Sequence, residues 1–397
     1  MKNLQIGFIF LILFCFMRPL ALIETNIVIG GLNAFELFAI VISYILLFAI
    51  ALYIRKIKLD LISISILLFC AYCFLSIFWG SQLRIIAQVT LPFILFFAIR
   101  VMINKSEEIK LLLTVVIIAY CFLLVGSLYQ IIQGTSIEMV ESITGLERHA
   151  GMFKRIKPFS FAMFFFSVFF YIQVAINKLA NKQIKWGLFI LLIISFFCIF
   201  KSYARSAYIG LIIFWAISLW GYNKKYFSIV LILSLIMGLL YLTNLEQIFF
   251  KTQEFDVNVA TSGRIFIWEH NIELFLESDF DRKLMGHGLG VVSSSVIGAG
   301  REIWSSHNDY LHVLMALGII GFVLYFLIFL LLLKDAYVSQ IDKRTKFFYY
   351  GIIISMIAMN FASGVTLYQV GISQQFWMVM GFFYVFRDSS ATSFNNN

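Results

Sequence analysis

Three separate stretches of this chain carry the side chains best suited to chemistry on an anionic, oxygen-rich substrate. The first is Trp304 to Gly321, WSSHNDYLHVLMALGIIG, where a polar segment runs straight into a long apolar helix and His307 stands at the border. A neutral imidazole near its ordinary pKa is a suitable general base for a sugar hydroxyl. The same residue is also read as plain interfacial decoration, and its type alone does not choose. Asp309 is placed to orient the ring, and Asp309 and His312 are equally read as spare polar groups. Asn308 or Ser306 can cap the helix that follows.

The second stretch is KSYARS, Lys201 to Ser206, which joins two apolar spans that are each barely long enough to cross a bilayer. A helix of about 17 residues rises only about 25 Å, less than a hydrocarbon core of about 30 Å. Arg205 is therefore expected slightly below the membrane surface. A charge there either faces an anionic partner or snorkels to the interface. Lys201 lies one turn away, so either cation suits a phosphate. The third stretch is TSGRIFIWEHNIELFLES, read as a helix that begins near Arg264 with Thr261 or Ser262 as its cap. At 100° per residue Ile265, Trp268, Ile272, Phe275 and Leu276 share one broad face, with Glu269, Glu273 and Glu277 opposite. Such a helix lies along a membrane or packs on a bundle. Arg264 falls on the apolar face in the first turn, where the helix dipole and a guanidinium fork favour phosphate. A structural pairing with Asp256 or Glu302 is the competing reading. Arg301 completes the set of candidates.

The elements that must hold these residues follow from composition. The chain is 61% hydrophobic and only 13% charged, against about 25% charged in soluble domains. It is an all-α polytopic membrane protein by this measure, because lipid-exposed backbone must satisfy its hydrogen bonds within helices. We read about twelve spans of the length a bilayer demands. Nine lie within residues 1–244, a large loop covers 245–309, three more spans occupy 310–387, and a tail follows at 388–397. The first span runs on through Arg18 and Pro19 without a cleavage site, as a retained anchor does.

Orientation comes from the cations, since short Lys- and Arg-rich loops stay in the cytoplasm. Arg55–Lys58, Asn104–Lys110, Asn177–Lys185, Asn223–Lys225 and Lys334–Lys346 belong inside. Both termini are then cytoplasmic, and the loop from Leu245 to Asp309, with its short helices, is expected outside. Gln133 to Lys157 breaks the pattern, an exterior connection holding Arg148, Lys154, Arg155 and Lys157. It is either a solvated loop with a displaced span boundary or a cationic rim that draws an anionic headgroup or glycolipid.

Other features carry less. Cys15, Cys70, Cys73, Cys121 and Cys198 all lie in apolar runs, where a small thiol packs well. Gly286 to Gly290, GHGLG, alternates glycine like a phosphate cradle, but no strand precedes it and no Walker lysine follows. A turn that lets backbone approach a sugar or a neighbouring helix suits it better. Gly318 and Gly321, one turn apart, suit the close approach of another helix. No DxD motif or metal-spaced His/Cys cluster is present, no cofactor is implied, and nothing points to nucleic acid. The net charge of +9 is mostly that of cytoplasmic loops facing anionic lipid.

Taken in order, KSYARSAY, SGRIFIWE, GHGLG and HNDYLHVLMALGIIG resemble the O-antigen ligase and polymerase superfamily of bacterial envelope proteins, over about Lys201 to Tyr325. The resemblance implies metal-independent glycosyl transfer at the periplasmic face of the inner membrane. An O-antigen ligase moves polysaccharide from undecaprenyl diphosphate to the lipid A core. By position, Arg205 and Arg264 would hold the diphosphate and His307 would activate the acceptor hydroxyl, with Lys201 as an alternative phosphate ligand. The resemblance also embraces a polymerase, whose acceptor is another lipid-linked repeat, and a protein-glycosylating ligase. A transporter or flippase would share the span number, but it should show internal repeats and midplane charges. Here no repeat is evident, and the charges gather at one outer surface.

Overall fold

The computed structural model describes residues 2–21, 23, 28–29, 32–53, 56–103, 106–136, 138–140, 147–153, 155–176, 181–222, 264–290, 296–297, 301–302, 306–364, 366–367 and 369–394. The ninth expected span, Tyr226 to Asn244, and the first part of the large loop lie outside them. The molecule is a bundle of helices: α1 (Lys2–Leu20), α2 (Ala34–Leu52), α3 (Leu61–Leu75), α4 (Leu83–Thr90), α5 (Phe93–Met102), α6 (Ser106–Ile132), α7 (Ile156–Tyr171), α8 (Lys182–Ser202), α9 (Arg205–Tyr222), α10 (Arg264–Glu277), α11 (Phe280–Met285), α12 (Asp309–Val338), α13 (Lys343–Ser363) and α14 (Val370–Phe394). Among the described residues six helices are long and apolar enough to cross a membrane, and a seventh if α4 and α5, bent by 44° at a short break, form one span. Large apolar side chains such as Phe48, Phe122 and Ile190 stay exposed, as they do where lipid is the solvent.

Polar residues mark the helix ends. The side chains of Asn181 and Asn308 each accept two backbone N–H bonds at the starts of α8 and α12, and Asp342 accepts one at the start of α13, which satisfies otherwise orphaned donors. Tyr203, in the left-handed region with φ 48°, closes α8 and turns the chain into α9. The core is aromatic, and α7 runs through its middle: Phe159, Phe161, Phe164, Phe165 and Phe166 have no exposed surface. Around it α9 and α13 pack antiparallel and closely. A side chain on Gly210 would strike Met359, one on Gly221 would strike Phe347, and one on Gly351 would meet Phe214 and Ser218. This register brings the start of α9 at Arg205 level with the end of α13 at Ser363.

The helix α12 is broken. Gly318 has φ 66° and ψ −168° inside it, which frees carbonyls that a continuous helix would occupy. The GHGLG turn fills the break, because His287 N donates to Met315 O at 3.0 Å and Gly288 N to Ala316 O at 2.8 Å. Gly286, Gly288 and Gly290 all have positive φ, and a side chain on Gly288 would collide with the backbone of Gly80 and Ser81. The alternating glycines thus serve a neighbouring helix, the second of the two uses expected of them. The expectation for Gly318 and Gly321 divides. Gly321 lets Tyr72 of α3 approach, whereas Gly318 turns the backbone against Leu284 and Gly286.

At the opposite end of the bundle from Ser363, Asp60 pairs with Arg100 at 2.9 Å and with Arg387 at 3.2 Å, and Arg387 reaches Asp335 at 3.0 Å. Asp60 also caps α3 through Ser63 N. Arg100 is nearly buried, its side chain 7% exposed, so removing its partner strands a charge. Asp60→Ala is expected to destabilise the protein by about 3 kcal/mol, read as a lower melting temperature in detergent. A melting temperature unchanged from wild type would show the network to be dispensable.

Candidate active site

Four helix ends meet on one side of the bundle: the starts of α7, α9 and α12 and the end of α13. A cavity of about 440 Å³ opens there, lined among others by Arg155, Lys157, His307, Asp309, Ser363 and Gln369. His307 sits just before α12 in the left-handed region, with φ 48°. That conformation is costly for a residue with a side chain, and the surroundings enforce it. Asn308 caps α12 by accepting from Tyr310 N at 3.0 Å and Leu311 N at 3.2 Å. Ser306 Oγ donates to Asn308 O at 2.8 Å, and Ser306 O accepts from Trp268 Nε1 at 2.7 Å. A side chain on Gly364 would press on Asp309 and on the His307 backbone.

The helix α10 supplies the brace. Trp268 holds the His307 loop through Ser306 and packs its ring edge-on against Phe361, with centroids 5.2 Å apart. One turn earlier, Arg264 donates through a guanidinium N–H to the carbonyl of Ala362 at the end of α13. The described part of helix α10 starts at Arg264, and its buried face is rotated from the one expected. Asn271 and Leu274 are buried, while Ile272 and Leu276 point outward, 45% and 63% exposed. The apolar periodicity is ambiguous because the helix carries apolar residues around most of its circumference, and tertiary contacts through Arg264 and Trp268 decide which of them turn in. Thr261, Ser262 and Asp256 lie outside the described residues.

His307 Nδ1 lies 3.2 Å from Lys157 Nζ, and Lys157 also reaches Ser363 O at 3.5 Å. Asp309 Oδ2 accepts from Thr366 N at 2.7 Å, Thr366 Oγ1 at 2.8 Å and Leu367 N at 3.3 Å, so it pins the segment after α13 that floors the cavity. Tyr325 meets Thr366 Oγ1 from below. Arg148, on the hairpin of β1 (Glu138–Val140) and β2 (Glu147–His149), donates to Ser202 O at 3.3 Å and Tyr203 O at 2.7 Å. That bond latches the cationic connection 133–157 onto the turn that carries Arg205.

Of the candidates read from sequence, Arg264, Asp309 and His307 gather at this cavity or its rim, and Arg205 lies level with it on α9. Lys201 occupies the last turn of α8, half-buried. Arg301 lies on a short strand and pairs with Ile297. In the sequence Lys157 stands out only as one of four cations in the connection 133–157, read as a solvated loop or a cationic rim. Its signal was the excess of cations in a connection where the positive-inside rule disfavours them. Among the described residues no group of three or more His, Cys, Asp and Glu side chains is arranged to hold a metal.

The electrostatics favour a neutral ring. Loss of water around His307, then the nearby charges of Lys157 and Arg264, push its pKa down from the usual range to about 4. His307 is exposed to solvent at this cavity, yet all three causes act in the same direction. Because the unfolded histidine titrates near about 6.5, its neutral form contributes stability that is complete above that pH and is lost as pH falls toward about 4. We therefore expect the His307 ring, followed by NMR in histidine-labelled protein, to titrate near pH 4. A midpoint of about 6.5 would remove the cationic environment from the argument.

The site thus places an imidazole beside Lys157 at a cavity that Arg155 also lines. Residues 190–326 match the family model described as O-Antigen ligase. The match supports the O-antigen ligase superfamily and agrees with a membrane protein. It runs from within α8 to within α12 and takes in Lys201, Arg205, Arg264, Arg301 and His307. Lys157, Arg148 and the end of α13 lie outside the O-antigen ligase match, and they reach the site through folding alone. No curated protein matches the chain.

Proposed function

We propose that this protein is a glycosyltransferase of the ligase type, which transfers O-antigen polysaccharide from undecaprenyl diphosphate to the lipid A core oligosaccharide. In this reading the chain crosses the bacterial inner membrane about twelve times with both termini in the cytoplasm, and the cavity beside His307 opens to the periplasm. What supports the proposal is the imidazole of His307, 3.2 Å from Lys157 at the cavity and near Arg264, in a chain whose residues 190–326 match an O-antigen ligase model.

The chemistry follows from those parts. His307 takes the proton of the acceptor hydroxyl as its oxygen forms a bond to the anomeric carbon of the donor. The bond from that carbon to the diphosphate breaks, and undecaprenyl diphosphate leaves with the electron pair. Arg205 and Arg264 bind the diphosphate and stabilise the charge that grows on it, with Lys201 as the alternative to Arg205. No metal is required by this scheme, since guanidinium groups provide the positive charge. The energy comes from the donor, and the protein contributes placement and electrostatics.

The test is a gel of lipopolysaccharide from the source bacterium with the gene deleted, run beside its undecaprenyl-linked glycans. Loss of polymer on lipid A core with accumulation of long lipid-linked polymer is the expected result. A core capped by a single repeat would instead assign a polymerase, and an unchanged pattern would remove the lipopolysaccharide reading and leave a protein acceptor or transport.

A further inference from the structure

We propose that Lys157 gates the base: until a donor binds, its ammonium holds the Nδ1 lone pair of His307, and the diphosphate of an arriving donor draws it away. The inference rests on the ligase reading for the identity of the donor. Its geometry does not. An ammonium has three donors and no acceptor, and a neutral imidazole has one lone pair. With Lys157 Nζ 3.2 Å from Nδ1, the ring proton belongs on Nε2 and the single basic nitrogen is occupied. His307 in that state cannot accept a proton from a hydroxyl group.

The hold is a reversible one. Lys157 stands in the first turn of α7, whose buried aromatic body fixes the backbone, while a four-carbon stem lets the ammonium swing. Its second partner, Ser363 O, is at 3.5 Å, long for a hydrogen bond. Arg264 and Arg148 repel Lys157 through space while Asp309 attracts it, so the site gathers cations whose repulsion an anion would relieve. Lys157 and Arg155 both line the cavity. Phosphate oxygens form charge-assisted bonds stronger than those to a ring nitrogen or a carbonyl. An entering diphosphate therefore captures Lys157, frees the imidazole lone pair and gains a third cation against its leaving charge. The base is released only when a leaving group is present. The acceptor proton then passes to the freed nitrogen, and Lys157 keeps its own protons throughout.

The experiment is carbethoxylation of His307 by diethyl pyrocarbonate, which needs a free imidazole lone pair, followed by mass spectrometry on the full-length protein in nanodiscs. At pH 7 the wild type is expected to react slowly, and inorganic pyrophosphate is expected to speed the reaction about tenfold. Lys157→Met is expected to react at the fast rate with or without pyrophosphate, and Lys157→Arg to stay slow until pyrophosphate is added. A lysine that acted only through its charge would give the opposite sign, since removing it raises the proton affinity of His307 and lowers the neutral fraction. Unchanged labelling of His149 confirms that a variant is folded, and if Lys157→Met fails to fold, the wild-type response to pyrophosphate decides alone. Equal rates in wild type and Lys157→Met, or a wild-type rate that pyrophosphate leaves unchanged or lowers, would overturn the gate. Because the footprint involves no transfer, a negative footprint beside a positive lipopolysaccharide gel fails the gate and leaves the ligase reading standing.

Discussion

His307→Asn is expected to lower polymer transfer by roughly 10²–10⁴-fold, the contribution of a positioned general base, while the protein remains in the membrane at wild-type abundance. Asparagine is the informative substitution because His307 has φ 48°, a conformation that asparagine tolerates better than alanine. The change thus removes the imidazole while sparing the turn that joins Trp268, Ser306 and the α12 cap. Complementing the gene deletion with this variant, then comparing lipopolysaccharide with lipid-linked glycan, makes the measurement. Transfer near the wild-type level would remove His307 as the base, and equal loss of protein from the membrane would assign it a structural part instead.

Arg264→Ala is expected to cost about 10²–10³-fold in the same assay, the usual effect of removing one group that stabilises transition-state charge. Arg264→Lys should recover little, because a point charge does not reproduce the planar fork that matches two phosphate oxygens. The guanidinium also donates to Ala362 O at the end of α13, so a purely structural effect must be separated from a catalytic one. Trp268→Phe provides the comparison. It keeps the ring beside Phe361 but loses the bond to Ser306 O, and it should weaken the brace while leaving the phosphate cation in place. If Arg264→Ala and Trp268→Phe lose the same activity and the same thermal stability, Arg264 is a strut of α10 and the phosphate role belongs to other cations.

Both predictions concern residues that the sequence brings forward for reasons that survive folding. The apolar runs declare a helical membrane protein because hydrocarbon leaves the backbone no other partner, and this holds whatever the packing. Asn308 announces the start of α12 because capping is local, a matter of a side chain and the N–H groups two and three residues on. His307 at the head of α12 is visible for the same reason. The count of spans is less legible. Short helices such as α4 and α5 share one bend, and α12 contains a break at Gly318 that no hydropathy pattern reveals.

What the tertiary structure alone decided is which of these groups meet. Lys157 and His307 are separated by 150 residues, and nothing in local sequence records the contact between the ends of α7 and α12. The inward face of α10 was set by what Arg264 and Trp268 find on α13 and the His307 loop, not by its apolar stripe. Asp309, adjacent to His307 by two residues, turned its Oδ2 to Thr366 and Leu367 because an unsatisfied buried loop backbone is expensive. Local sequence thus determined the helices, their caps and the chemical types available. The long-range register of α7, α9, α12 and α13 determined the partner of each charge, since electrostatic and hydrogen-bond energies depend on distances that only packing sets.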